Sequence, residues 1–159
     1  MRTLILGLGN DLLSDDAVGI VAARRLCAVV GGCTDVVECS AAGLALLDVL
    51  VGYNRVIILD ATSSGDHPPG TVFEMAVDDL RPLARLSPHY AGLPEVLSIG
   101  KSLGLDLPRE ISIFAVEIAD CLTIGGGLSE PVARSIEVLT TRVISRLGMY
   151  AGGIAPPEP

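Results

Sequence analysis

Apolar residues recur along this chain in two rhythms. Short aliphatic runs closed by glycine or an acid alternate with longer stretches in which apolar positions return every three or four residues. The first run, Leu4-Ile5-Leu6, meets Gly7-Leu8-Gly9-Asn10; so short a run bounded by glycines suits a strand buried on both faces. From Ala17 to Val30 the positions Val18, Val21, Ala22 and Leu26 predict a helix, stopped by Gly31-Gly32, with Ser14 as N-cap and Asp15 and Asp16 in its first turn. Thr34 to Glu38 predicts a second strand, and Gly43 to Val51 a short helix with Leu44, Leu47 and Val51 on one stripe. After the turn Gly52-Tyr53-Asn54, Arg55 to Asp60 gives the strongest strand pattern in the chain, aliphatic at its centre and acidic at its end.

The second half continues the alternation. A polar loop from Ser63 to Gly70 leads to Thr71–Val77, a rough alternation that predicts an edge strand, with an antiparallel pairing to the third as one expectation. Residues 78–86 carry no clear pattern. Ser87 and Pro88 supply N-cap and N1 signals for a helix running through Leu93, Val96, Leu97 and Gly100 to Gly104. Glu110 to Val116 predicts a strand ending at Glu117. A loop follows to Gly125-Gly126-Gly127, and Ser129 opens a helix from Glu130 to Leu147. Strands alternating with helices imply an α/β three-layer sandwich: a mostly parallel, mixed sheet of about five strands with helices on both faces. Residues 1–147 read as one domain, and the Gly/Pro-rich tail 148–159 as disordered.

Composition narrows the function classes. Aromatic residues are 3% of the 159 and tryptophan is absent, so the core must be aliphatic. A formal net charge of −8 argues against nucleic acid and anionic membrane as partners and favours a basic segment or a cation. No apolar run reaches a membrane span, and the N-terminus lacks a signal-peptide cleavage site, so a cytoplasmic location is expected. Four cysteines show neither a C-x-x-C pair nor zinc-finger spacing, and Cys27 is expected to be a buried thiol on its helix.

The candidate chemistry lies where the strands end. Gly7-x-Gly9 after a first strand is a weak dinucleotide signal, because Leu12 stands where the third glycine belongs and three aspartates line the loop. A nucleotide-binding module is therefore a minor reading. Asp15 is read as support for the helix start, and His67 as a solvated loop residue. Asp16 after strand one, Asp60 at the tip of strand three and His89 at a helix N-terminus would fall on one rim, the edge where open α/β sheets bind ligands. A helix N-terminus disfavours imidazolium, and a neutral imidazole with two carboxylates suits nickel or zinc with coordination positions left open. The bland alternatives are that Asp60 caps a neighbouring helix and His89 is a surface residue.

The opening LGLGNDLLSDDAVG, the strand VIILDA and the segment Ser87-Pro88-His89 together resemble the nickel-dependent hydrogenase maturation endopeptidases, over about Met1 to Leu147. The resemblance implies a hydrolase of aspartic-type endopeptidase character. Its substrate would be a hydrogenase large-subunit precursor, from which it removes a C-terminal extension after nickel insertion. Asp16, Asp60 and His89 would bind nickel that the precursor brings, and no organic cofactor is implied. Two positions depart from the family. Asp16 replaces a more usual Glu, shortening its reach by about 1.5 Å, one C–C bond. Glu38-Cys39-Ser40 replaces an acid followed by two glycines. Asp16, Asp60 and Glu38 are the candidate catalytic acids, and backbone N–H groups of the Gly7–Asn10 turn are candidate donors to the scissile carbonyl. A cysteine nucleophile at Cys39 is disfavoured, since no base is identifiable for it. A non-catalytic metal-binding maturation chaperone is the alternative reading.

Overall fold

The computed structural model describes residues 1–32, 34–80 and 92–148. Five strands, β1 (Thr3–Leu8), β2 (Thr34–Cys39), β3 (Arg55–Thr62), β4 (Val72–Ala76) and β5 (Glu110–Glu117), form one sheet in the order β2-β1-β3-β5-β4. The first three and β5 pair in parallel; β4 alone runs antiparallel, at the edge, against β5. The expected edge strand is therefore present, but its neighbour is the fifth strand and not the third. The helices are α1 (Val18–Cys27), α2 (Leu46–Leu50), α3 (Leu93–Ser102) and α4 (Glu130–Arg146). The architecture is the expected three-layer α/β sandwich.

Strand alternation sorts the aliphatic residues into two cores. Ile5, Ile57, Leu59, Phe114 and Val116 point to the layer of α1 and α4, where they meet Val18, Leu26, Val132 and Leu139. Leu4, Leu6, Leu8, Val56, Ile58 and Ala115 point the other way, to Leu46 and Leu50 of α2 and Leu93 of α3. All residues of β1 and β3 are buried, which explains why the two strands read as continuous apolar runs. At about 1.5–3 kcal/mol per buried aliphatic side chain, these layers supply most of the drive to fold.

Two glycines let α1 approach the sheet. A Cβ on Gly7 would lie 2.5 Å from the carbonyl oxygen of Gly19 and 2.6 Å from Ala23 Cβ. A Cβ on Gly19 would lie 2.3 Å from the carbonyl oxygens of both Leu8 and Leu59. The glycines at either end of the opening motif thus seat the helix on the carboxyl ends of β1 and β3.

Several local expectations change. α1 ends at Cys27, before Gly31, and Cys27 is exposed. The 43–51 segment is a 3₁₀ turn followed by α2; Leu46, Leu47 and Leu50 are buried, while Leu44 and Val51 face outward. α3 begins at Leu93, with Gly92 at φ 83 as its N-cap and Pro94 in its first turn. The start expected at Ser87 is not the start of this helix, and Ser87 itself lies outside the described residues, as does the tail 149–159. Among the described residues no helix is long and apolar enough to cross a membrane.

Candidate active site

The chain leaves β1 through a loop that folds back on itself. Gly9 takes φ 141, and a Cβ there would lie 2.1 Å from the carbonyl oxygen of Asp16, so only glycine fits. The Asn10 N–H donates to Asp16 Oδ2 at 2.9 Å, and the Leu12 N–H to Asn10 Oδ1 at 3.0 Å. Asp16 is therefore half-buried and oriented by the loop's own backbone. It stands in a 3₁₀ turn, Ser14–Ala17, that precedes α1. Ser14 does not cap this helix: its hydroxyl donates to the Gly127 carbonyl at 2.9 Å.

Asp60 is wholly buried in β3. The strand continues through Ala61 and Thr62, so Asp60 is not its last residue. Val56 and Ile58 face the α2/α3 layer, and alternation puts Asp60 on the same face. Its Oδ1 accepts from the Ala61 N–H at 2.8 Å. Removing a carboxylate from water among aliphatic neighbours is costly, and the Ala61 N–H offsets part of that cost.

His89 lies outside the described residues, as does the Ser87-Pro88 pair before it. The residues flanking that segment, Leu80 and Leu93, are both buried in the core layer that Asp60 faces. Among the described residues no group of three His, Cys, Asp or Glu side chains is placed to hold a metal; of the expected ligands, Asp16 and Asp60 are described. His67 is an exposed loop residue, as expected, with its ring 5.3 Å from that of Phe73.

Glu38 occupies a different position. It shares the α1-facing side of β2 with Val36, opposite to the face of Asp60. Arg24 of α1 grips it in a two-point ion pair, Nε to Oε1 at 3.0 Å and Nη2 to Oε2 at 2.7 Å, and Nη2 also reaches Asp11 Oδ2 at 3.0 Å. Hydrogen bonds first to Glu38 and then to Asp11 hold the guanidinium pKa above its usual value. Cys39 Sγ accepts the Ala41 N–H at 3.3 Å.

The turn does not offer the expected donors to a substrate carbonyl. The Gly9 N–H donates to the Cys39 carbonyl at 3.3 Å, the Asn10 N–H is bound to Asp16, and Gly7 and Leu8 lie within the paired strand. The loop does border a cleft of about 360 Å³ between Gly9–Leu12 and Glu38–Ser40. A larger groove lies on the other side of the sheet's edge, between β4 and α4, where Arg146 is already ion-paired with Glu74 and Glu110.

Asp15 does more than support a helix start. It is wholly buried and accepts four hydrogen bonds: from the Ser129 N–H at 2.6 Å, the Ser129 hydroxyl at 2.9 Å, and the Ala119 and Asp120 N–H groups at 3.2 and 3.1 Å. Ser129 occupies the N-cap position of α4, but its side chain turns to Asp15 and not to the helix. One carboxylate thus ties the β5–α4 loop to the loop carrying Asp16. Its partners lie 104 to 114 residues away, beyond any local sequence pattern.

The model of the hydrogenase maturation protease family HycI matches residues 28–146 of this chain. The Hydrogenase 2 maturation protease of Escherichia coli (strain K12) is 32% identical over 151 residues, spanning 92% of this chain and 91% of that protein. The hydrogenase expression/formation protein HupD of Thiocapsa roseopersicina is 27% identical over 92% of this chain and 68% of its own length. Among solved structures, the hydrogenase-maturating endopeptidase HybD from E. coli superposes with a TM-score of 0.80 at 30% identity, covering 93% of each chain. A hydrogenase 2 maturation peptidase from a Thaumarchaeota archaeon gives 0.70 at 29% identity, covering 94% of this chain and 99% of that one. Fold, opening motif and relatives converge: this chain belongs to the hydrogenase maturation protease family and is a peptidase.

Proposed function

We propose that this peptidase removes a C-terminal extension from a nickel-containing hydrogenase large-subunit precursor after nickel insertion, and that Asp16, Asp60 and His89 recognise the nickel. The nickel is part of the substrate, so the site tests whether the precursor's metal centre is complete. The observation that carries this reading is the wholly buried Asp60, set in the strand beside β1, whose loop fixes Asp16. Two carboxylates and an imidazole form a donor set suited to nickel and leave coordination positions for groups the precursor supplies.

Within this reading the chain's own groups divide the work. The bond from Asn10 holds Asp16 Oδ2, so the carboxylate is oriented before substrate arrives. Asp16 and Asp60 are the acids on which we place the aspartic-type chemistry, with Asp16, the more accessible, activating water. Glu38 fits this part less well, since it sits on the other face of the sheet with its carboxylate taken up by Arg24. Membership of a peptidase family sets the non-catalytic chaperone aside. We place the reaction in the cytoplasm, which suits the free thiols of Cys27, Cys39 and Cys121.

Asp60→Asn, Asp16→Ala and His89→Ala variants test the assignment. Each is expected to lose precursor processing while keeping the wild-type circular dichroism and melting behaviour. Processing at the wild-type rate by any of them would remove that residue from the site.

A further inference from the structure

One buried acid takes no part in the chemistry or the loop clamp described above. Glu117, the last residue of β5, is 2% exposed. Ile113 and Ala115 face the α2/α3 layer, and alternation puts Glu117 on that face together with Asp60. Asp60 pairs in register with Ala115, and Thr62 with Glu117. Glu117 therefore stands on the neighbouring strand, about 7 Å further towards the carboxyl edge of the sheet.

Its carboxylate reaches the chain that leaves β3. Oε2 accepts from the Ser64 hydroxyl at 2.6 Å and Oε1 from the Gly65 N–H at 2.8 Å, while the Ser64 hydroxyl oxygen accepts from the Asp66 N–H at 3.1 Å. The main chain of Glu117 holds the other end of the same loop. Its N–H donates to the Thr71 carbonyl at 2.9 Å, and its carbonyl accepts from the Gly70 N–H at 2.8 Å. A single residue thus closes loop 63–70 at both ends.

The path of this loop links it to the candidate site. Ser64 and Gly65 meet a side chain on the face to which Asp60 points. Further along, the His67 ring centre lies 5.3 Å from that of Phe73, which packs on the same layer. The loop therefore borders Asp60's face at the carboxyl edge, where open α/β sheets bind ligands. Asp60 Oδ1 accepts from the Ala61 N–H, and Ser64 follows three residues after Ala61. The segment that orients Asp60 at one end is pinned by Glu117 at the other. Gly65, at φ 76, leaves the turn other backbone conformations, and the two bonds to Glu117 select one.

We infer that Glu117 is a positioning residue for peptide cleavage: it fixes loop 63–70 as a wall beside Asp60, against which the precursor segment is held for reaction. The inference rests on the reading of Asp60 as part of the active site. Glu117 acts through the hydrogen bonds it accepts and not through its charge. A misplacement of about 1 Å can cost about a hundredfold in rate, so a loosened wall is felt in kcat.

Glu117→Ala, Glu117→Gln and Ser64→Ala variants test it. Processing is followed over a series of precursor concentrations, using the precursor form that the wild-type protein cleaves, at a temperature where circular dichroism shows each variant folded. Glu117→Ala is expected to lower kcat at least about tenfold, with KM within about threefold of wild type. Glu117→Gln is expected to bring kcat back to within about threefold, since its oxygen still accepts from the Gly65 N–H and its amide donates to the Ser64 hydroxyl oxygen. Ser64→Ala keeps the Gly65 bond and is expected to fall between the two; it decides the matter if Glu117→Ala does not fold, and a wild-type kcat would then overturn the inference. A folded Glu117→Ala with wild-type kcat would make the residue a structural clamp alone and overturn it. A Glu117→Gln as slow as Glu117→Ala would also overturn it, by assigning the effect to the charge. An inactive Asp60→Asn beside an unimpaired Glu117→Ala overturns this inference alone, whereas a fully active Asp60→Asn overturns the reading of Asp60 and the wall's role with it.

Discussion

Replacing Asp15 tests how the active-site loops are held. Its carboxylate is wholly buried and receives three backbone N–H groups and one hydroxyl. Asp15→Ala removes all four acceptor contacts. Hydrogen bonds to a charged group are worth about 1.5–3 kcal/mol each, but Ala119 and Asp120 lie at the protein's surface, where water takes over part of the loss. A net of about 1 kcal/mol per bond gives a destabilisation of about 4 kcal/mol, a large part of the 5–15 kcal/mol typical of a whole domain. Asp15→Asn should cost nearly as much. With its oxygen at the Oδ2 position, the amide nitrogen would face the Ser129 N–H; in the other orientation it would face the Ala119 and Asp120 N–H groups. The assay is urea unfolding at neutral pH, with the midpoint shift multiplied by the slope. A loss below about 1 kcal/mol for Asp15→Ala would refute the claim that this carboxylate clamps the two loops.

Other substitutions separate packing from chemistry. Gly19→Ala pushes a methyl into two backbone carbonyls and is expected to cost about 3 kcal/mol or more, whereas Gly31→Ala, with nothing within 4 Å, should be neutral by the same unfolding measurement. Glu38→Gln weakens an exposed pair with Arg24, so the unfolding midpoint should stay close to that of the wild type, and processing should persist at near the wild-type rate; a loss of about a hundredfold would instead make Glu38 the general base. Hydrogen bonds from Thr123 and from the Leu122 and Thr123 N–H groups hold the Asp120 carboxyl below its ordinary value of 3.8. A lowered folded-state pKa stabilises above the ordinary value and is lost as pH falls through the folded one. Amide exchange at Leu122 and Thr123 should therefore quicken only below that pH, and Asp120→Ala should abolish the acid-dependent step.

The parallel frame was legible because its signals are local. Leu4-Ile5-Leu6, Val56 to Leu59 and Ile111 to Val116 are aliphatic over the length of a strand, and Gly52 and Gly104 punctuate the chain where it turns. What was not legible depended on distant partners. Ser14 and Ser129 both look like helix caps, but their hydroxyls turn to Gly127 and Asp15, 113 and 114 residues away. Leu44 and Val51 share a helical stripe with Leu47, yet the sheet takes Leu46 and Leu50 because only a single turn of α-helix forms there. The antiparallel edge strand β4 resembles a partner for β3, but β5 takes that place and leaves β4 outside it. Asp16 and Asp60 stood out by type and position in the motifs, whereas Glu38 gave no sign of its ion pair with Arg24, fourteen residues earlier on another element.

The most direct test is to incubate the pure protein with nickel-loaded and nickel-free forms of its cognate large-subunit precursor and to weigh the precursor by mass spectrometry. The account predicts that a C-terminal peptide is lost from the nickel-loaded form alone. Equal cleavage of both forms would contradict nickel recognition by Asp16, Asp60 and His89.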